Sequence, residues 1–250
     1  GMFAETVDFY GSHRTFDAHP VIRFVLALGG ALAVQTSAIH WSSDHRIHHH
    51  HVDDNDKDPY SAKRGFWFSH MGWMLREYHP ETHTDYSNVK DLHKDPIAAW
   101  QHKHYWTLAW ATNIGFTAIL GLIHGDFWGT MLLVGVARLT LSQHFTFFIN
   151  SLAHIYGRRP YSVDNTARDN GWIALITYGE GYHNFHHRFA SDYRNGIRWW
   201  QFDPTKWMIK ALSFIGLTNN LRRYSDERIE RAKAAVQLSQ VGCITLPQTL

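Results

Sequence analysis

The chain has 250 residues, enough for one domain with a sizeable core. Its formal net charge is +2 with histidine neutral, which provides no basic footprint for nucleic acid. The single cysteine, Cys243, excludes a disulfide framework, thiolate zinc sites and iron–sulfur clusters.

In chain order, the first marked piece is Asp8-Phe9-Tyr10-Gly11-Ser12-His13-Arg14. His19-Pro20 then opens an apolar segment, residues 21–39, interrupted by Arg23 and Gly29-Gly30. It is long enough to span a bilayer and equally suits a buried or interfacial helix that delivers the chain directly to His45. There the sequence reads His45-Arg46-Ile47-His48-His49. Residues 53–64, with Asp58-Pro59, read as a polar loop. Residues 77–96 are polar again, broken by His79-Pro80 and Asp95-Pro96.

Residues 106–123 contain no charge and approach the ~20 apolar residues a spanning helix needs. After a turn at His124-Gly125-Asp126, residues 127–149 are apolar except at positions such as Arg138, Gln143 and His144. The pair predicts a helical hairpin dipping into a membrane, its second arm ending at Asn150 and His154. Two soluble core helices are the alternative. Intramembrane Arg138 is costly unless it faces protein or water.

Residues 156–169 read as a loop, and Gly179-Glu180-Gly181-Tyr182 leads into His183-Asn184-Phe185-His186-His187. Asp203-Pro204 predicts a helix with Asp203 as N-cap, ending at Ile215 with Gly216 as its stop. Residues 226–236 predict a charged amphipathic helix on the solvated surface. The tail after Ser239 is expected to be poorly ordered. Residues 1–224 thus form the main domain, with residues 225–250 as a terminal helix and tail.

Imidazole is the commonest metal ligand in proteins. Positions three and four apart share a helix face, so each His-x-x-His-His is expected to aim all three rings at one point. Two such helices, with His13 and His154, supply eight nitrogens. One zinc ion takes three or four, so a dinuclear centre is expected. His19, His70, His79, His83, His93, His102, His104 and His124 receive the ordinary reading of core or surface groups. The predicted fold is all-α, a membrane-embedded hairpin with a cytosolic helical cap holding the dimetal site.

These motifs, in this order, resemble the membrane fatty-acid desaturases of the delta-9, stearoyl-CoA desaturase type. The stretches carrying the resemblance are Asp44-His45-Arg46-Ile47-His48-His49, Asp58-Pro59-Tyr60, Arg64-Gly65-Phe66-Trp67-Phe68-Ser69-His70-Met71-Gly72-Trp73 and Asn150-Ser151-Leu152-Ala153-His154. They continue with Gly179-Glu180-Gly181-Tyr182 and its histidines, Asp192-Tyr193-Arg194-Asn195-Gly196 and Asp203-Pro204-Thr205-Lys206. The resemblance implies a non-haem di-iron enzyme that uses O2 and two external electrons to desaturate a C16–C18 acyl chain. Its ligand positions fall on His13, His45, His48, His49, His154, His183, His186 and His187, with Asn150 acting through water. It also implies that the aromatic residues and the hairpin enclose the acyl chain, and that residues 21–39 lie along the membrane. The active site would face the cytoplasm from a bacterial inner membrane or the endoplasmic reticulum. The pair of Glu-x-x-His motifs that marks soluble four-helix di-iron proteins is not present.

The chain departs from the family pattern at its start. Asp8 stands where the family has the first histidine of His-x-x-x-x-His, and reads either as a carboxylate ligand or as a helix-cap or turn residue. The family's first transmembrane hairpin is missing, so the domain reads as truncated at its N-terminus. Ser43, Glu77 and Tyr78 occupy positions where acyl-CoA desaturases carry basic groups for the coenzyme A phosphates, with Arg76 a substitute for one. By the family resemblance the substrate is expected to be acyl-CoA, with an acyl-lipid as the alternative that these positions leave open. Electrons would come from a separate cytochrome b5 or ferredoxin type of protein. A hydroxylase on the same scaffold and an inactive remnant are the competing readings.

Overall fold

The computed structural model describes residues 8–75 and 85–242. Arg76, Glu77, Tyr78, His79 and His83 lie outside the described residues, as does the tail from residue 243. Helices dominate, as the apolar periodicity predicts. The strands among the described residues are β1, Asp17–Ala18, and β2, Thr218–Asn219. They pair antiparallel, Asp17 opposite Asn219 and Ala18 opposite Thr218. This pairing ties the start of the described chain to a segment two hundred residues on.

Helix α1, Pro20–Ala33, starts with proline in its first turn and the His19 ring accepting from the Val21 N–H. Helix α2, Ala38–His51, starts at Ser37, whose Oγ accepts from the His40 N–H at 3.2 Å. The sequence predicts one continuous segment here. Instead the two helices are bent by 79°. Val34 and Thr36, both β-branched, adopt left-handed φ of 52° and 67° in the break. That conformation is strained for such residues and persists only where surrounding contacts enforce it.

Helix α3, Phe66–His70, follows α2, and the enforcing contacts come from the later helices: α4, Pro96–Lys103; α5, Tyr105–His124; and α6, Phe127–Ile155. Gln143 on α6 donates to the carbonyls of Ala33 at 3.0 Å and Val34 at 2.8 Å. Arg138 donates to the Leu32 carbonyl at 3.1 Å and to Asn113 Oδ1 on α5 at 2.5 Å. Tyr105 OH accepts the Thr36 N–H at 3.0 Å, and Gln101 on α4 accepts the Ala38 N–H at 3.0 Å. Backbone groups freed by the break would otherwise be orphaned in an apolar layer. Arg138 is thus spent on protein carbonyls, which explains a cation within an apolar span.

Helices α5 and α6 are the two described helices long and apolar enough to cross a membrane. Gly125, at φ 81°, closes the turn between them, and Asp126 caps the Gly129 N–H at 2.9 Å. Their outer faces expose Leu122, Ile123, Leu132 and Leu133. The second arm runs on to Ile155, so Asn150 and His154 ride on the helical segment itself.

The cap holds α7, Gly171–Ile176; α8, His183–Arg188; α9, Pro204–Phe214; and α10, Asp226–Gln240. Asp203 caps α9 as predicted, accepting the Lys206 N–H at 2.8 Å, and its other oxygen accepts from the Asn195 and Gly196 N–H groups. Gly216 follows α9 at φ 72°. Helix α10 differs from the expected solvated helix. Ile229, Ala232 and Val236 are buried, and Ile229 and Ala232 join Tyr161, Phe185 and Phe189 in one cluster. Because Phe185 belongs to α8, the terminal helix braces a histidine-bearing helix from behind.

Replacing Gln143 by Leu leaves two carbonyls at the break without donors. It should destabilise the chain by about 1–2 kcal/mol, read as a lower melting temperature in detergent micelles. Leu141→Ala on the lipid-facing surface should have a smaller effect. Equal melting temperatures for wild type and Gln143→Leu would contradict this account of the bend.

Candidate metal centre

Helix α2 carries His45, His48 and His49, and α8 carries His183, His186 and His187. In an α-helix successive residues advance by about 100°, so positions i+3 and i+4 point about 100° apart. The structure uses that divergence. His45 and His49 join His13 and His186, while His183 and His187 join His48 and His154. Within each quartet the ligating atoms all lie within 4.8 Å of one another. The expectation that each His-x-x-His-His aims at one point is therefore corrected. Each motif gives its first and last histidine to one quartet and its middle histidine to the other.

The inward atoms are Nε2 throughout the close contacts. His13 and His45 approach to 2.9 Å, and His49 and His186 to 3.0 Å. In the second quartet His48 and His187 lie 3.3 Å apart, His154 and His183 3.1 Å, and His183 and His187 3.1 Å. The quartets adjoin, since the His49 and His187 rings stack at 4.2 Å.

Outer contacts set the tautomers. Asp58 Oδ1 lies 2.8 Å from His48 Nδ1. A carboxylate only accepts, so Nδ1 carries the proton and the Nε2 lone pair faces inward. Asp58 is itself held by the N–H groups of Asp53 and Tyr60. Burial works to raise its pKa, but His48 and these donors outweigh burial and hold the carboxyl below its ordinary value. Thr166 Oγ1 donates to Asp53 Oδ1 at 2.6 Å, which leaves it to accept from His154 Nδ1 at 2.9 Å. Glu180 Oε2 lies 3.8 Å from His183 Nδ1. Burial, reinforced by neighbouring imidazoles, keeps His183, His186 and His187 well below their ordinary pKa. They remain neutral, with lone pairs available to a cation.

Aromatic side chains enclose the rings. Tyr60 packs on His48 at 4.6 Å, Trp41 stacks on His45 at 6.1 Å, and Phe9 meets His186 edge-on at 5.9 Å. The approach to α8 needs glycine. Gly179 sits at φ 120°, and a Cβ on Gly181 would collide with the Ala174 backbone nitrogen.

The other candidates fall as follows. Asp8 begins a π turn, Asp8–Ser12, and its carboxylate faces the first quartet. Asn150 is buried with its amide nitrogen unpartnered. His70 bonds Ser151 and His144, and His102 bonds Ser37, as ordinary structural groups. Ser43 is fully buried and donates to Asn88, so it is not placed to meet a phosphate. Sequence reasoning missed the roles of Asp53, Asp58, Thr166 and Glu180. The available signal was a carboxylate pair in the loop just after the first histidine motif.

Eight converging imidazoles, with the outward nitrogens of His48 and His154 tied to acceptors, suit borderline transition metals better than hard cations such as calcium or magnesium. A family profile described as fatty acid desaturase matches residues 10–216. The chain is 43% identical over 230 residues to a probable acyl-CoA desaturase of Schizosaccharomyces pombe, covering 92% of this chain and 47% of that protein. It is 43% identical over 222 residues to acyl-CoA desaturase 1 of Saccharomyces cerevisiae, covering 88% and 43%. It is 36% identical over 217 residues to sn-2 palmitoyl-lipid 9-desaturase of Nostoc sp., covering 84% and 72%. The chain spans slightly less than half the length of the two yeast relatives. With the profile match running from Tyr10 to Gly216, through all four histidine pieces, the chain belongs to the fatty acid desaturase family.

Proposed function

We propose that this chain desaturates a saturated C16–C18 acyl chain near the ninth carbon, with two iron ions held by the imidazole quartets. The observation that carries the reading is two quartets of buried and half-buried imidazoles on a chain that also carries an apolar helical hairpin. The overall reaction balances as R–CH2–CH2–R + O2 + 2 electrons + 2 protons giving R–CH=CH–R + 2 H2O. Bound there, two iron ions would supply the oxygen-reducing power that an unactivated C–H bond requires.

The chain's own residues have three tasks. Asp58 on His48, and Asp53 through Thr166 on His154, keep Nδ1 protonated and Nε2 free. Tyr60, Trp41 and Phe9 line the rings and exclude water, which protects the reaction from side products. Helices α5 and α6 are long and apolar enough to enter a membrane, and α6 carries His154, which supports delivery of an acyl chain from an apolar layer. The two electrons come from a separate protein of cytochrome b5 or ferredoxin type, and the site faces the cytoplasm. The yeast relatives' names support an acyl-CoA substrate and the Nostoc name supports an acyl-lipid. Buried Ser43 at one phosphate-contact position gives the acyl-lipid reading specific support.

Membranes carrying the chain, given O2, a reductase and donor, and either stearoyl-CoA or stearoyl-phospholipid, should yield a cis-9 double bond by mass spectrometry. His186→Ala should reduce the yield at least about a hundred-fold while the chain still inserts. A hydroxylated product would move the reading to an oxygenase, and undiminished desaturation by His186→Ala would remove the quartets from the reaction.

The neutral histidines give a pH signature in the metal-free chain. Folded His183, His186 and His187 resist protonation, whereas in the unfolded chain they titrate near the ordinary value of 6.5. Below that value the unfolded state binds more protons, so stability falls with pH from about 6.5 downward. The melting temperature of metal-free protein should be lower at pH 5.5 than at pH 7.5. An unchanged or higher value at pH 5.5 would contradict burial of neutral rings.

A further inference from the structure

We propose that Asp8 is a ligand of the ion held by His13, His45, His49 and His186, which makes the two metal positions chemically unequal. The inference rests on the two-metal reading above and adds to it a residue and an asymmetry.

The position of the carboxylate distinguishes a ligand from an outer support. Asp8 Oδ2 lies 3.3 Å from His45 Nε2 and 3.5 Å from His13 Nε2. These are the inward nitrogens, which themselves approach each other to 2.9 Å. A carboxylate that merely orients an imidazole meets the opposite nitrogen, as Asp58 meets His48 Nδ1. Asp8 therefore stands on the inward side of two of the four rings.

Burial strengthens the argument. Asp8 is 4% exposed, and its second oxygen, Oδ1, is buried with no hydrogen-bond partner. A buried anionic oxygen without a donor is costly unless a cation meets it. The residue cannot easily swing away. Its carbonyl accepts the His13 N–H at 3.2 Å, and the adjacent Phe9 is fully buried against Phe16 and Ile209. The local π turn is a backbone form that recurs at functional sites.

The second quartet is built differently. Its carboxylates stand outside, with Asp58 on His48 Nδ1, Asp53 behind Thr166, and Glu180 nearest His183 Nδ1. Negative charge thus reaches the first ion directly and the second only through imidazole. A hard anionic oxygen at one position favours the more highly charged ion there.

The test is a Zn2+ titration of the purified full chain against a competing chelator, comparing wild type with Asp8→Asn. Wild type should bind two ions. Asp8→Asn should bind one with wild-type affinity and the other at least about ten-fold more weakly. Retention of the ion bound with wild-type affinity reports that the variant is folded. Two ions bound with wild-type affinity by Asp8→Asn would overturn the assignment, as would equal weakening of both. Fewer than two ions in wild type would overturn the two-metal reading itself.

Discussion

The structure depends on holding eight imidazoles in two adjoining quartets, the ligating atoms of each within 4.8 Å of one another. Imidazole in water is content with either tautomer and gains a proton below about 6.5. Burial removes the second option, as it does for His183, His186 and His187. Hydrogen bonds at Nδ1 remove the first, as Asp58 does for His48 and Thr166 for His154. What remains is a set of convergent Nε2 atoms, which is the arrangement a metal ion would use.

That demand explains features far from the rings. Helix α2 must enter the cap at a steep angle to α1, which a continuous helix would not allow. The 79° bend provides the angle, and Arg138, Gln143, Tyr105 and Gln101 satisfy the backbone it frees. Three of these four side chains come from the two apolar helices, counting Tyr105, Arg138 and Gln143. The polar residues of the hairpin therefore support the histidine helix rather than interrupt a membrane segment. On the opposite side, α10 packs Ile229 and Ala232 against Phe185 and Phe189. Helix α8 has only six residues and could not hold three imidazoles in place alone.

Much of this was legible in the sequence. Apolar spans announce themselves because lipid tolerates little else, so the hairpin and its Gly125 turn were readable. The histidine spacing announced two helical faces and a donor count. The Asp203-Pro204 cap followed from local chemistry alone. Other features depend on how helices sit relative to one another, which spacing does not encode. The division of each histidine motif between two quartets is one. The break at Val34 and Thr36 is another, since neither residue signals a turn and tertiary contacts override their preference. The outer carboxylates Asp53 and Asp58 lie in a segment that composition marks only as loop. The direction of the Asp8 side chain follows from the packing of Phe9, not from its place in a motif.

The most direct test of the centre is X-ray absorption at the iron edge of the purified, iron-loaded chain. The account predicts a first shell dominated by nitrogen at about 2.0–2.2 Å, with outer scattering from roughly four imidazole rings per iron. A sulfur shell, or a largely oxygen shell with fewer than about two imidazoles per iron, would contradict it.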